Sequence, residues 1–91
     1  MPDISIILQG NLKEAAGSER LFVSAKTAKE AVTKIKKRLG SKFGAQLCEG
    51  ADIKSHYIFL LNGLVIDSGR LDKVRLKDGD SLHIYVPVGG G

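Results

Sequence analysis

Ile4, Ile6 and Leu8 alternate with Ser5, Ile7 and Gln9, the two-residue period of a strand that turns one face to a core. Gly10 and Asn11 break this run, Leu12 tucks back, and Gly17-Ser18 supplies a turn before Leu21, Phe22 and Val23 form a second β-rich segment. The short separation predicts a hairpin. Thr27-Ala28-Lys29-Glu30 then fits a capping box, with the Thr27 hydroxyl accepting from the Glu30 N–H and the Glu30 carboxylate reaching back. Ala28, Ala31, Val32, Ile35 and Leu39 follow at three- and four-residue intervals, and Gly40 stands where a left-handed cap is wanted, so an amphipathic helix is predicted to end near Leu39. Ser41 to Gly50 reads as one helical turn around Phe43 and Leu47, followed by a polar loop through Lys54. Tyr57 to Leu61 is a continuous apolar run, and Asn62-Gly63 turns it into Leu64-Val65-Ile66 as a tight hairpin. Leu71 and Val74 belong to an irregular connection, after which Lys77-Asp78-Gly79-Asp80 turns the chain into a last strand, Ser81 to Val86.

The order strand, strand, helix, strand, strand, strand predicts an α+β domain. Its expected form is a mixed sheet of four to five strands with one main helix across one face and the last strand beside the first, the β-grasp arrangement. Residues 1–86 form this domain and residues 87–91 a flexible glycine tail. At 91 residues, 43% apolar and 26% charged, the composition is that of one folded domain and excludes disordered and fibrous classes. No apolar run approaches the ~18 residues of a membrane span, and the N-terminal stretch has no basic leader region, so a soluble, cytoplasmic protein away from membranes is expected.

Charge adds an asymmetry. Residues 1–45 carry nine Lys/Arg against four Asp/Glu, whereas residues 46–91 carry five against six. The excess sits on the helix as Lys29, Lys34, Lys36, Lys37 and Arg38, close to its C-terminus, where cations interact favourably with the dipole. Such a face suits an acidic partner or a polyanion. Conventional catalytic chemistry is poorly represented. Cys48 is the only cysteine and reads as a small buried hydrophobe, and His56 and His83, 27 positions apart without clustered ligands, are assigned to no metal site. Asp78 and Asp80 in D-G-D read as turn formers rather than an acid/base pair. No catalytic residue, metal or bound cofactor is expected.

The last third of the chain resembles the ubiquitin-like sulfur-carrier proteins, in particular the MoaD-like small subunit of molybdopterin synthase. The residues that carry the likeness are Leu61-Asn62-Gly63, Leu76-Lys77-Asp78-Gly79-Asp80 and the terminus Val86-Pro87-Val88-Gly89-Gly90-Gly91; Leu12 to Gly17 and the Thr27-capped helix also sit where that family has them. Val86 replaces the first of two usual prolines and Gly89 makes a triglycine, so the tail is the more flexible. The resemblance implies that the Gly91 carboxylate is adenylated, at the expense of ATP, by a ubiquitin-activating-type enzyme and becomes a thiocarboxylate. Gly89 and Gly90 thread the tail into narrow active sites, a role glycine suits because it lacks a Cβ and ranges widely in φ/ψ. A sulfur acceptor then takes the sulfur: the molybdopterin synthase large subunit, or an acceptor in tRNA thiolation. Attachment of the whole protein to lysines is the modifier alternative.

By similarity to ubiquitin, Phe59 and Leu61 face the helix while Ile58 and Leu60 face outward. In the last strand Leu82, Ile84 and Val86 are expected inside, leaving His83 and Tyr85 on the outer face near Val65. These five outward residues, Ile58, Leu60, Val65, His83 and Tyr85, form the expected partner-binding patch unless a loop or a second copy covers them. The competing class is a small basic RNA-binding module built on Lys29, Lys34, Lys36, Lys37, Arg38 and Lys42; Phe43 is the only aromatic interleaved with them, which makes nucleic acid the poorer partner.

Overall fold

The alternating N-terminal segment forms β1 (Asp3–Leu8), which pairs antiparallel with β2 (Arg20–Ser24) so that Ile4 lies opposite Val23 and Ile6 opposite Leu21. A computed structural model describes residues 1–50, 52–54 and 56–86. The link between these strands is more than a turn. Residues Asn11–Ala16 form a short helix, α1, that buries Leu12 and ends at Gly17, whose positive φ of 76° lets its N–H reach the Lys13 carbonyl. Six residues are too few for a helical period to stand out, so only Leu12 and the glycine stop signalled it.

Helix α2 (Ala28–Leu39) buries Ala28, Ala31, Val32 and Ile35. The Thr27 hydroxyl accepts from the Glu30 N–H at 3.1 Å as the capping box requires, while the Glu30 carboxylate accepts from the Lys26 N–H at 2.6 Å, one residue before the cap. Gly40 has the positive φ expected of it, 88°, but its ψ of −170° is not that of a left-handed cap. The reason is that Gly40 both ends α2 and begins α3 (Ser41–Leu47), so the chain turns a corner there. Helix α3 is longer than the single turn expected and puts Phe43 and Leu47 wholly inside the core. The polar loop after it contains a small antiparallel pair, β3 (Cys48–Glu49) with β4 (Asp52–Ile53). Cys48 is buried at its start.

Strands β5 (Ile58–Leu61) and β6 (Leu64–Ile66) form the hairpin around Asn62 and Gly63, whose φ values of 51° and 87° are the paired positive angles of a type I′ turn. A 3-10 segment, Ser68–Lys73, buries Leu71 in the irregular connection. Strand β7 (Ser81–Tyr85) then runs between β1 and β5, parallel to the first and antiparallel to the second, giving the sheet order β2-β1-β7-β5-β6. The result is a five-stranded β-grasp sheet with α2 packed across one face.

The D-G-D turn is structural. Asp80 accepts from the Lys77 N–H and from the Asn62 side-chain amide, Asp78 accepts from the Asp3 N–H at 2.7 Å, and the Asn62 side-chain oxygen accepts from the Ser81 N–H. One turn thus joins the start of β1, the β5–β6 hairpin and the start of β7.

Tyr57, just before β5, is 5% exposed and donates its hydroxyl to the Gln46 carbonyl at 2.8 Å. Burial, and secondarily the charge of Cys48, push its phenol above the ordinary range. The neutral form is therefore favoured by folding, a contribution fully present below about pH 10 and lost as pH climbs towards the raised folded value. Tyr57→Phe is expected to cost about 1 kcal/mol at neutral pH through the lost hydrogen bond. In urea unfolding the gap between variant and wild type should hold constant up to about pH 10 and narrow above it; a gap that stays constant above that pH would refute the assignment.

Candidate functional site

The inter-strand register carries one row of residues across all five strands on the face opposite α2. Arg20 lies beside Ile7, Ile7 beside His83, His83 beside Leu60, and Leu60 beside Val65. Tyr85 and Ile58 pair in the adjacent row. At ~4.8 Å between strands the long row spans roughly 19 Å. The patch expected from sequence, Ile58, Leu60, Val65, His83 and Tyr85, is therefore brought together on one continuous face. Val65 is 73% exposed and the other four are partly so.

The inward set agrees in part. Phe59, Leu82 and Ile84 are buried and Leu61 is half-buried against the core, but Val86 is not inside: it is 44% exposed. The pairing of β7 runs out at Ile84 beside β1 and at Tyr85 beside β5, so Val86 has no neighbouring strand to hold it over the core. It instead lines a groove of about 560 Å³ with Gln9, Gly10, Asn11, Gln46, Lys54, His56 and Tyr57, at the place where the chain leaves the sheet. Gly89, Gly90 and Gly91, expected to carry the chemistry, lie outside the described residues.

Ile7 and Arg20 belong to the row and were not picked from sequence. The alternation of β1 placed Ile7 outward, yet only the strand order sets it beside His83. Phe22, 65% exposed, also lies on the outer face of β2. The His83 Nδ1 is shielded from solvent and has no hydrogen-bond partner among the described residues, so this nitrogen adds no polar contact to the surface.

The basic helix face divides in two. Lys34 Nζ donates to the Ser24 carbonyl at 2.7 Å and Arg38 Nη1 to the Phe22 carbonyl at 2.8 Å, tying α2 to β2. Lys29, Lys37 and Lys42 remain exposed. An RNA-binding reading of the helix thus loses two of its six cations to the fold.

What the arrangement offers is a continuous, largely apolar outer face beside a departing chain segment. Over residues 6–91 the sequence matches the ThiS family. The chain belongs to that family. No curated protein matched it in sequence. Among solved structures, the ThiS-family chain is similar to the small archaeal modifier protein 1 of Methanosarcina acetivorans, with 25% identity, a TM-score of 0.78 and coverage of 100% of this chain and 98% of that one. It is similar to the chain matched in a complex of subunits 1 and 2 of the molybdopterin-converting factor of Helicobacter pylori 26695, with 25% identity, a TM-score of 0.67 and coverage of 98% and 99%. The Haloferax volcanii protein SAMP1 superposes with a TM-score of 0.81 at 22% identity over 98% of this chain and 99% of that one, a likeness of fold. The ThiS-family chain is thus one of the ubiquitin-like sulfur carriers and modifiers, proteins that are generally small non-catalytic subunits or tags. Among the described residues no helix is long and apolar enough to cross a membrane.

Proposed function

We propose that the chain is a sulfur carrier for molybdopterin synthesis and that its reactive group is the carboxylate of Gly91. A carboxylate is ionised at neutral pH and unreactive towards nucleophiles until activated. Its oxygen attacks the α-phosphorus of ATP on a ubiquitin-activating-type enzyme, releasing pyrophosphate and leaving an acyl-adenylate. Sulfide delivered by a donor then attacks the acyl carbon and expels AMP, leaving a thiocarboxylate. The folded domain supplies recognition, and the exposed stretch of the row, His83, Leu60 and Val65, with Ile7 buried beside it, is the surface both partners read.

The observation that carries this reading is the coincidence of that row with the exit of β7 on the same sheet, together with a family match that runs through Gly91. Intact mass after incubation with ATP, sulfide and the activating enzyme of the source organism tests it. Exchange of one oxygen for sulfur is expected to add roughly 16 Da. An unchanged mass, with the same enzyme active on its own carrier, would reject the reading.

The likeness to the archaeal modifier favours a second reading, attachment of Gly91 to lysines of other proteins. Its signature is a series of higher-mass conjugates in extract, whereas the carrier reading expects the thiocarboxylate to be consumed by the molybdopterin synthase large subunit. Thiolated tRNA as the product would point to a third acceptor.

A further inference from the structure

Among the described residues strand β2 is an outer strand of the sheet, with β1 as its one strand neighbour. The Leu8 N–H donates to Glu19 O and the Ala25 N–H to Pro2 O, and the alternation of an antiparallel ladder then assigns the Ile6/Leu21 and Ile4/Val23 pairs to the β1 side. Arg20, Phe22 and Ser24 consequently aim their N–H and C=O groups away from β1. All three of these carbonyls accept a side-chain donor: Ser24 from Lys34 and Phe22 from Arg38, both reaching over from the helix, and Arg20 from the hydroxyl of Ser18 in its own turn. The spacings match: four residues of helix advance about 6 Å and two residues of strand about 6.8 Å, so one helix turn lays two cations along alternate carbonyls of the strand.

We propose that Lys34 and Arg38 occlude the free edge of β2 and so prevent a second copy of the chain from pairing there. A second copy is the occupant that suits the edge because the edge is self-complementary. A two-fold axis at Phe22 would let each Phe22 N–H donate to the other's carbonyl and would set Arg20 opposite Ser24 on both sides. It would also bring the two exposed Phe22 rings together across the junction, a favourable cross-strand pair. Cations placed on an edge strand are a recognised means of keeping sheets from joining, and here they come from the neighbouring helix. The inference is independent of the sulfur-carrier reading.

Sedimentation velocity on four forms of the full chain, at one concentration and salt, tests it. Wild type is expected to be monomeric. Lys34→Ala/Arg38→Ala is expected to dimerise, with an association constant at least ~10-fold above wild type. Lys29→Ala/Lys37→Ala, which removes the same charge from the same helix without touching β2, should stay monomeric. Adding Phe22→Lys to the first double variant should abolish the dimer, because it sets like charges opposite each other at the axis. Arg38 is exposed, so Arg38→Ala alone is expected to fold and to show a weaker association that Phe22→Lys also removes; it decides the matter if the double variant does not fold. A monomeric Arg38→Ala, an equal response to Lys29→Ala/Lys37→Ala, or a dimer indifferent to Phe22→Lys would each overturn the proposal.

Discussion

Removing Gly90 and Gly91 is expected to abolish sulfur loading while leaving the thermal unfolding of the domain unchanged. Among the described residues the core ends with β7: Leu82 and Ile84 are buried within it, the last cross-strand pair is Ile58 with Tyr85, and Val86 beyond it is already 44% exposed. Every buried residue among those described is retained in the truncated chain. The chemistry, by contrast, is relocated. The truncated chain ends in Gly89, two residues or about 7 Å short of the position an adenylating site must reach, and a 1 Å misplacement of a reacting atom already costs about 100-fold. No mass gain should be detectable under conditions that load the full chain completely, with a circular-dichroism melt superimposable on that of the full chain. Loading of the truncated chain would show that Gly91 is not the reactive residue.

Leu60→Asp is expected to weaken docking to the activating enzyme by roughly 30- to 1,000-fold, a loss of about 2 to 4 kcal/mol. Leu60 stands between His83 and Val65 in the row, so a partner covering that face must strip water from the new carboxylate. In the free protein the same carboxylate stays hydrated, because Leu60 is only half-buried, and the cost in stability should be roughly 1 kcal/mol. Leu64→Asp is the control. Leu64 is 73% exposed and pairs with Leu61, off the row, so its affinity should be unchanged. Isothermal titration of both variants separates the outcomes, and equal losses would mean that the row is not the docking surface.

The parts of the fold that could be read from sequence are those set by local chemistry. Asn62-Gly63 announces the β5–β6 hairpin because positive φ at two successive positions is costly for most residues, and Thr27 with Glu30 marks the start of α2 because a cap hydroxyl takes up a first-turn N–H that has no partner within the helix. Helix α1 and the β3–β4 pair escaped because elements of six and two residues leave no measurable period. The outer-face patch was legible as five residues on two adjacent strands and the neighbouring hairpin arm. Ile7 and Arg20 were not, since their membership depends on β7 inserting beside β1, a contact between residues more than seventy positions apart. Val86 followed the inward alternation in sequence, but alternation says nothing about where the neighbouring strands stop. Lys34 and Arg38 were read as charge available to an acidic partner, because a side-chain bond to a backbone carbonyl leaves no signature in the residue being bonded.

The parallel alignment of β1 and β7 has a mechanical consequence. Ser5, Ile6, Ile7 and Leu8 lie in register with Ser81, Leu82, His83 and Ile84, the two strands pointing the same way. A pull that draws β7 forward by its exit while β1 is held from its start acts along the strands, loading the hydrogen bonds between them in shear, together and not one after another. Resistance of that kind is governed by the unfolding rate under force, and it is greatest when no single bond can open alone. A partner that seizes the exit of β7 and draws it taut would therefore meet a domain that holds its shape under tension, so that traction on the tail moves the whole domain rather than unravelling it.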